Sequence, residues 1–239
     1  MSTFEHLIVL GRPAGGKSEF IDFMTHTPDD IRINKYHIAP FDVTDDFVWL
    51  WEKFEEDDIW EKIGHNRLYS KKSEHAYVIE EASLFDFMIQ KFNKEVKAKY
   101  LSNKEFYKNN TLLIEFSRGG QKAYNHAFNL LSKELLEKSS IIYISVSFEE
   151  SWTRNVTRYQ EKLKHSILAH MVPREDMDRY YAIDDWKEIT DNKPDGFLEY
   201  HNIKIPFVTM NNEPESTDMA VLDERYGTAL RRLMELKVC

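Results

Sequence analysis

Cysteine is almost missing from this chain. One stands among 239 residues, at position 239, which excludes an intrachain disulfide and a cysteine-built metal site. Glycine and proline are sparse as well, at eight and seven, so no flexible linker or low-complexity tract is expected. No apolar run approaches the roughly 18 residues of a membrane span. No signal-peptide pattern opens the sequence, and the expected compartment is the cytoplasm, with no membrane partner. Positive charge is also in deficit: Lys and Arg number 32 against 41 Asp and Glu, a net charge of −9. That balance argues against sequence-independent nucleic-acid binding, because no surplus of cations is there to displace counterions. Nine histidines are present but none has His-x-x-x-His spacing. His165 and His170 are five apart and do not share a helix face, so no zinc site is expected; a packed or surface role is expected for His170.

What is there begins at residue 11. Gly11, Arg12, Pro13, Ala14, Gly15, Gly16, Lys17 and Ser18 spell a complete G-x-x-x-x-G-K-S phosphate-binding loop. The pattern carries meaning only between a strand and a helix. Here the short apolar run 6–10 precedes it, and Phe20, Ile21, Phe23 and Met24 give the following segment an apolar helical face. Glycines let the backbone approach an anion with no Cβ in the way. Successive N–H groups and the positive end of the helix then hold the phosphates. In this chemistry Lys17 reaches the β- and γ-phosphates and the Ser18 hydroxyl ligates Mg²⁺.

Apolar runs at 6–10, 31–39, 112–116, 141–146 and 205–210 read as five buried strands. Helical patterns at 47–54, 84–100, 124–136, 149–164 and 219–236 lie between them. The alternation predicts an α/β fold: a three-layer, doubly wound parallel sheet with ligand at the carboxyl ends of its strands. The chain is expected to form a single domain over 1–239. Residues 42–110, dense in aromatic and charged side chains, read as a helical insertion and the acceptor region. Residues 148–202 read as a lid-like helical excursion. The stripe Phe47, Trp49, Leu50, Trp51 and Phe54 is expected to be mostly core, with part of it free to stack on a ring.

Three sets of charged residues accompany the loop. Glu115 ends an apolar strand, where a carboxylate holds Mg²⁺ or orients a nucleophile. Asp42, Asp45 and Asp46 close the second strand. One of them is expected to cap the next helix, with Asp42 or Asp46 facing the acceptor as a proton acceptor. Arg154 and Arg158 share a helix face after the fourth strand, either clamping a transferring phosphoryl group or forming local ion pairs. Two further matches are set aside. Asn192, Lys193, Pro194 and Asp195 fit the N-K-x-D of GTPases, but they follow a polar stretch, and Pro194-Asp195-Gly196 reads as a turn. Ser117-Arg118-Gly119-Gly120-Gln121 is similar to the transport-ATPase signature but stands in the wrong order. It reads instead as a strand–turn–helix junction whose glycines leave room near the phosphates.

On the form Gly11-x-Pro13-x-x-Gly16-Lys17, its early position and the arginine-bearing helix after the fourth strand, the chain resembles the P-loop NTPases, in particular the nucleoside- and nucleotide-kinase-like group of small-molecule kinases. Ala14 stands where nucleotide kinases commonly have glycine, and Glu-Phe-Ser-Arg is only similar to their third-strand motif. The resemblance implies strand order 2-3-1-4-5, an acceptor over the helices after strand two, and the nucleotide base near Asn211 and Asn212. It implies an ATP- and Mg²⁺-dependent phosphotransferase whose partners are a nucleoside triphosphate and a small-molecule acceptor. The alternative is a nucleotide-dependent switch, or slow NTPase, acting through a protein partner.

Overall fold

The computed structural model describes residues 2–73, 76–164 and 171–238. His165, His170 and Cys239 therefore lie outside the described residues. The elements are β1 (His6–Gly11), α1 (Lys17–His26), α2 (Asp29–Tyr36), β2 (Phe41–Asp45), α3 (Asp46–Lys62), β3 (Ser70–Ser73), β4 (Ala76–Ile79) and α4 (Leu84–Val96) with a π-helical turn at Lys97–Leu101. Next come α5 (Phe106–Asn109), β5 (Thr111–Phe116), α6 (Ala123–Leu130), α7 (Lys133–Leu136), β6 (Ser139–Ser145) and α8 (Phe148–Leu163). The chain continues through α9 (Arg174–Asp176), a π-helical turn at Met177–Tyr181, α10 (Trp186–Ile189), β7 (Asp195–Tyr200), β8 (Ile203–Asn211) and α11 (Met219–Lys237).

The main sheet runs β2-β5-β1-β6-β8-β7. Its first five strands are parallel and β7 is antiparallel on β8. Counted without the insertion hairpin and the antiparallel β7, the parallel part has the expected order 2-3-1-4-5, and the sheet has six strands rather than five. Side chains of the central strands alternate between two cores, as a period of two requires. Ile8, Leu10, Ile114 and Tyr143 join Phe92, Tyr124 and Phe128 on the face covered by α4 and α6. Leu7, Val9, Leu113 and Ile142 join Phe20, Tyr36 and Leu230 on the face covered by α1, α2 and α11. No helix among the described residues is long and apolar enough to cross a membrane.

Four expectations need correction. Residues 31–39 are not a strand: α2 occupies most of them, with Arg32 and Tyr36 buried four apart and Ile31 exposed. The strand is the next segment, Phe41–Asp45, at the sheet edge where polar residues are tolerated. The insertion is not wholly helical, since β3 and β4 pair as an antiparallel hairpin. Residues 195–196 belong to β7, and the turn lies earlier, where Asp191 and Asn192 take positive φ. The 124–136 pattern is two helices, broken where Leu131 turns extended and the Ser132 hydroxyl caps α7.

Candidate active site

The loop between β1 and α1 is held from outside by its carbonyls. Ser151 of α8 donates to the Pro13 carbonyl at 2.6 Å, and Asn212 Nδ2 donates to that of Gly15 at 3.0 Å. In a planar trans peptide the N–H points opposite the C=O, so the amides of Ala14 and Gly16 are turned inward, as an anion cradle requires. Gly16 has φ of +109°, and a Cβ there would stand 2.3 Å from Asn212 Nδ2. Glycine is thus demanded by both the backbone and the clamp. Lys17 folds over its own loop, donating to the carbonyls of Gly11 (3.2 Å) and Arg12 (3.0 Å) and to Ser117 Oγ (2.7 Å).

Glu115 stands 3.8 Å from Lys17 Nζ. Asp45 is its register partner on β2, so both carboxylates leave the sheet on one side. Burial is the main cause that pushes both upward, Glu115 to about 7 and Asp45 to about 6; neighbouring carboxylates add to it and Lys17 opposes it. Asp45 also caps α3, accepting from Phe47 N at 2.9 Å. Asp46 is raised by burial against the pull of Arg118, which pairs with it at 2.6 Å. Arg118 in turn donates to the carbonyls of Ser117 and Phe85 and lies 5.1 Å from the centroids of both Phe85 and Phe116. Asp46 is therefore a clamp on Arg118 that joins the ends of β5, α3 and α4.

These groups open into a cleft of about 260 Å³. Pro13, Ala14, Lys17, Ser18, Asp45, Asp46, Glu115, Ser117 and Arg118 line its loop end. Leu50, Trp51, Phe54, Tyr77, Phe85 and Met88 line an apolar stretch contributed by α3, the hairpin and α4. Arg158, Lys162, Val172, Asp176 and Tyr181 complete the wall. The stripe on α3 is less a core than expected: Trp49 packs on Phe92 at 4.9 Å and Phe54 is buried, but Phe47, Leu50, Trp51 and Phe54 all line the cleft.

Several anticipated residues are placed elsewhere. Asp42 is exposed on β2 beside Tyr100, away from the cleft lining. It lies three residues before Asp45, and strand alternation turns it to the other side of the sheet. Arg154 is buried, donating to Glu150 at 2.7 Å and to the Asn212 carbonyl at 2.8 Å. Only Arg158 of that pair reaches the cleft, where it pairs with Glu19. The Arg12 side chain points away from the cleft lining, to Asp184 at 2.7 Å and the carbonyls of Val146 and Tyr181. Asn212 clamps the loop with its side chain, and Asn211 donates to the Glu213 carbonyl. Gly119 makes room for Tyr180 rather than for phosphate: a Cβ there would stand 1.9 Å from the Tyr180 carbonyl oxygen. Ser117, Arg118 and Asp176 were missed as site residues. For the first two the signal was available, in their place directly after the β5 carboxylate. Asp176 had none.

No protein-family model and no curated protein matches the sequence. Among solved structures the chain is similar to a sugar kinase of Janibacter sp. HTCC2649, with TM-score 0.44 and 9% identity over 98% of this chain and 95% of that one. It is also similar to a gluconokinase of Sinorhizobium meliloti 1021, with TM-score 0.43 and 10% identity over 98% and 96%. A third is a shikimate kinase of Acinetobacter baumannii, with TM-score 0.42 and 13% identity over 99% and 94%.

Proposed function

We propose that the protein transfers the γ-phosphoryl group of ATP, or another nucleoside triphosphate, to a hydroxyl of a small-molecule acceptor. One observation carries this reading: the loop, a buried acid pair and Arg158 line one cleft that continues into a ring-lined pocket. A site built only to hydrolyse or to switch has no use for that second compartment.

In the proposed reaction the inward amides of the loop bind the β- and γ-phosphates, and Lys17 exchanges its bond to Ser117 for a phosphate oxygen. The acceptor oxygen bonds to the γ-phosphorus as the bond to the β-bridging oxygen breaks, and the hydroxyl proton passes to Asp45. Asp45 suits that task, since a base that titrates near 6 is ionised at neutral pH and still basic. Arg158, on the opposite wall, is placed to meet the negative charge of the transferring group. Ser18 and Glu115 are oxygen donors beside the loop and fit a hard cation such as Mg²⁺. Among the described residues no three acidic, histidine or cysteine side chains converge on a metal position, so the cation would be shared with the phosphates. When bound, it would neutralise phosphate charge. Asn211 and the segment after β8 remain the proposed place of the nucleotide base, and the expected compartment is the cytoplasm.

Lys17→Ala is expected to abolish ATP·Mg²⁺ binding by calorimetry, and wild-type protein to release ADP only when an acceptor is added. Unchanged nucleotide binding in the variant would overturn the assignment. Turnover that ignores acceptors would point to the switch instead.

A further inference from the structure

Asp176 is a buried carboxylate that nothing so far explains. It is 2% exposed and lines the cleft. Both of its oxygens face one protein donor, the backbone N–H of Ile79, at 3.3 and 3.1 Å. Among the described residues no ion pair reaches it: Lys71 is taken by Glu175 at 2.8 Å, and Arg179 and Lys71 act on it only from beyond ion-pair distance. A carboxylate offers about four acceptor positions, and leaving most of them empty in a buried site is costly. Its titration, raised to about 6 chiefly by burial, reflects the same shortage of partners.

Its position in the cleft gives the shortage a meaning. Phe54 lies nine residues along α3 from Asp45, which at the helical rise is about 13 Å. Phe54 shares a core with Ile79, the residue that bonds Asp176. The cleft that both acids line has ring walls: Tyr77 is stacked on Phe54 at 5.1 Å, with Trp51 edge-on to Tyr77 at 5.5 Å. A slot with flat walls, an acid pair beside the loop and a second buried carboxylate with a single protein donor selects for shape and for donors at once.

We propose that Asp176 is the specificity-determining residue for the acceptor, which is a ring-bearing alcohol whose edge remote from the hydroxyl donates a hydrogen bond through an exocyclic amino group. This deepens the phosphotransferase reading and rests on it for the hydroxyl end only. An acceptor with a carbonyl or an anionic group at that edge meets the carboxylate lone pairs and is rejected.

The test uses pairs of one shape that exchange an amino donor for a carbonyl: cytidine against uridine, and adenosine against inosine, titrated by calorimetry into wild type and Asp176→Asn. Asparagine keeps an oxygen for Ile79 N–H and brings an amide donor, so the fold is expected to survive; Asp176→Glu, which keeps the charge, decides the matter if the melting temperature falls. Wild type should favour the amino member at least about tenfold. Asp176→Asn should lose or reverse that preference, and Asp176→Glu should retain part of it. An equal loss for both members, or an unchanged preference in Asp176→Asn, would overturn the proposal. If none of these ring alcohols binds while another acceptor drives ADP release, the proposal fails and the phosphotransferase reading stands. If the preference is present and Asp176-dependent but no acceptor drives ADP release, the converse holds.

Discussion

Glu115 shows how a single residue is set by its surroundings. On the sequence it was a strand-end acid with one expected partner. In the structure it has Lys17 at 3.8 Å, Asp45 as its register neighbour and little solvent, and its titration rises to about 7. The sign of the consequence is fixed. The folded protein holds this proton more tightly than the unfolded chain, whose glutamate titrates near 4.5. The contribution of Glu115 to stability is therefore full below about pH 4.5 and is lost as pH rises through about 7. Glu115→Gln is expected to match wild type at pH 4.5 and to exceed it at pH 8, by on the order of 2–3 kcal/mol, read from urea melts at both values. A difference that does not change with pH would show that the carboxylate is not held protonated by burial. At the reaction the same buried cluster predicts a rate that falls as pH drops below about 6, the point at which Asp45 takes up its proton.

At the scale of an element, α8 divides its two arginines between different tasks. The periodicity of four placed both on one face, but a helix face is wide enough to have an inner and an outer end. Ser147 caps the helix, and its first turn lies against the loop, where Ser151 holds the Pro13 carbonyl. Arg154 is therefore drawn inward to Glu150 and the Asn212 carbonyl, while Arg158, one turn further, reaches the cleft. Arg154→Ala is expected to destabilise the protein by about 2–4 kcal/mol, because it leaves a buried carbonyl and a carboxylate without their donor. Arg158→Ala should leave the melting temperature within a degree or two and lower turnover by about a hundredfold. The reverse pattern, measured by thermal melts and ADP release on both variants, would assign Arg154 to the cleft instead.

At the scale of the molecule, the described residues form two cores against the sheet and a third under the insertion. The third is small, built on Phe54, Ile79, Leu84 and Met88. It is secured by Asp57, fully buried on α3, which accepts from the N–H groups of Leu68, Tyr69 and Ser70 and from the Ser70 hydroxyl at 2.7–3.0 Å. One carboxylate thus fixes the strand that starts the hairpin, and with it one wall of the cleft. Asp57→Ala is expected to cost about 3 kcal/mol and to do so locally. Hydrogen exchange should rise across 68–73 and 76–79 while β1, β5 and β6 keep their protection. A uniform rise would mean that the insertion does not open independently of the sheet.

The sequence by itself determined the loop, the layered α/β class and the acid near the end of β5, while the order of the parallel strands was implied only by the family resemblance. Each of the first three is a local pattern: fixed glycine spacing, continuous apolar runs, or a carboxylate at a strand terminus. It misplaced the second strand because Ile31 and Ile33 alternate in a segment that the preceding Pro28 and two aspartates start as a helix. It missed β7 because an edge strand needs only one buried face, which Leu198 and Tyr200 supply. What only the tertiary structure decided is which charges are spent on holding the molecule together and which are turned to the cleft. Arg12, Arg154 and Arg118 are spent; Arg158, Asp45 and Asp176 face the cleft. That division depends on burial and on partners distant in sequence, as for Arg12 with Asp184 and Ile79 with Asp176, and no local pattern of residues encodes it.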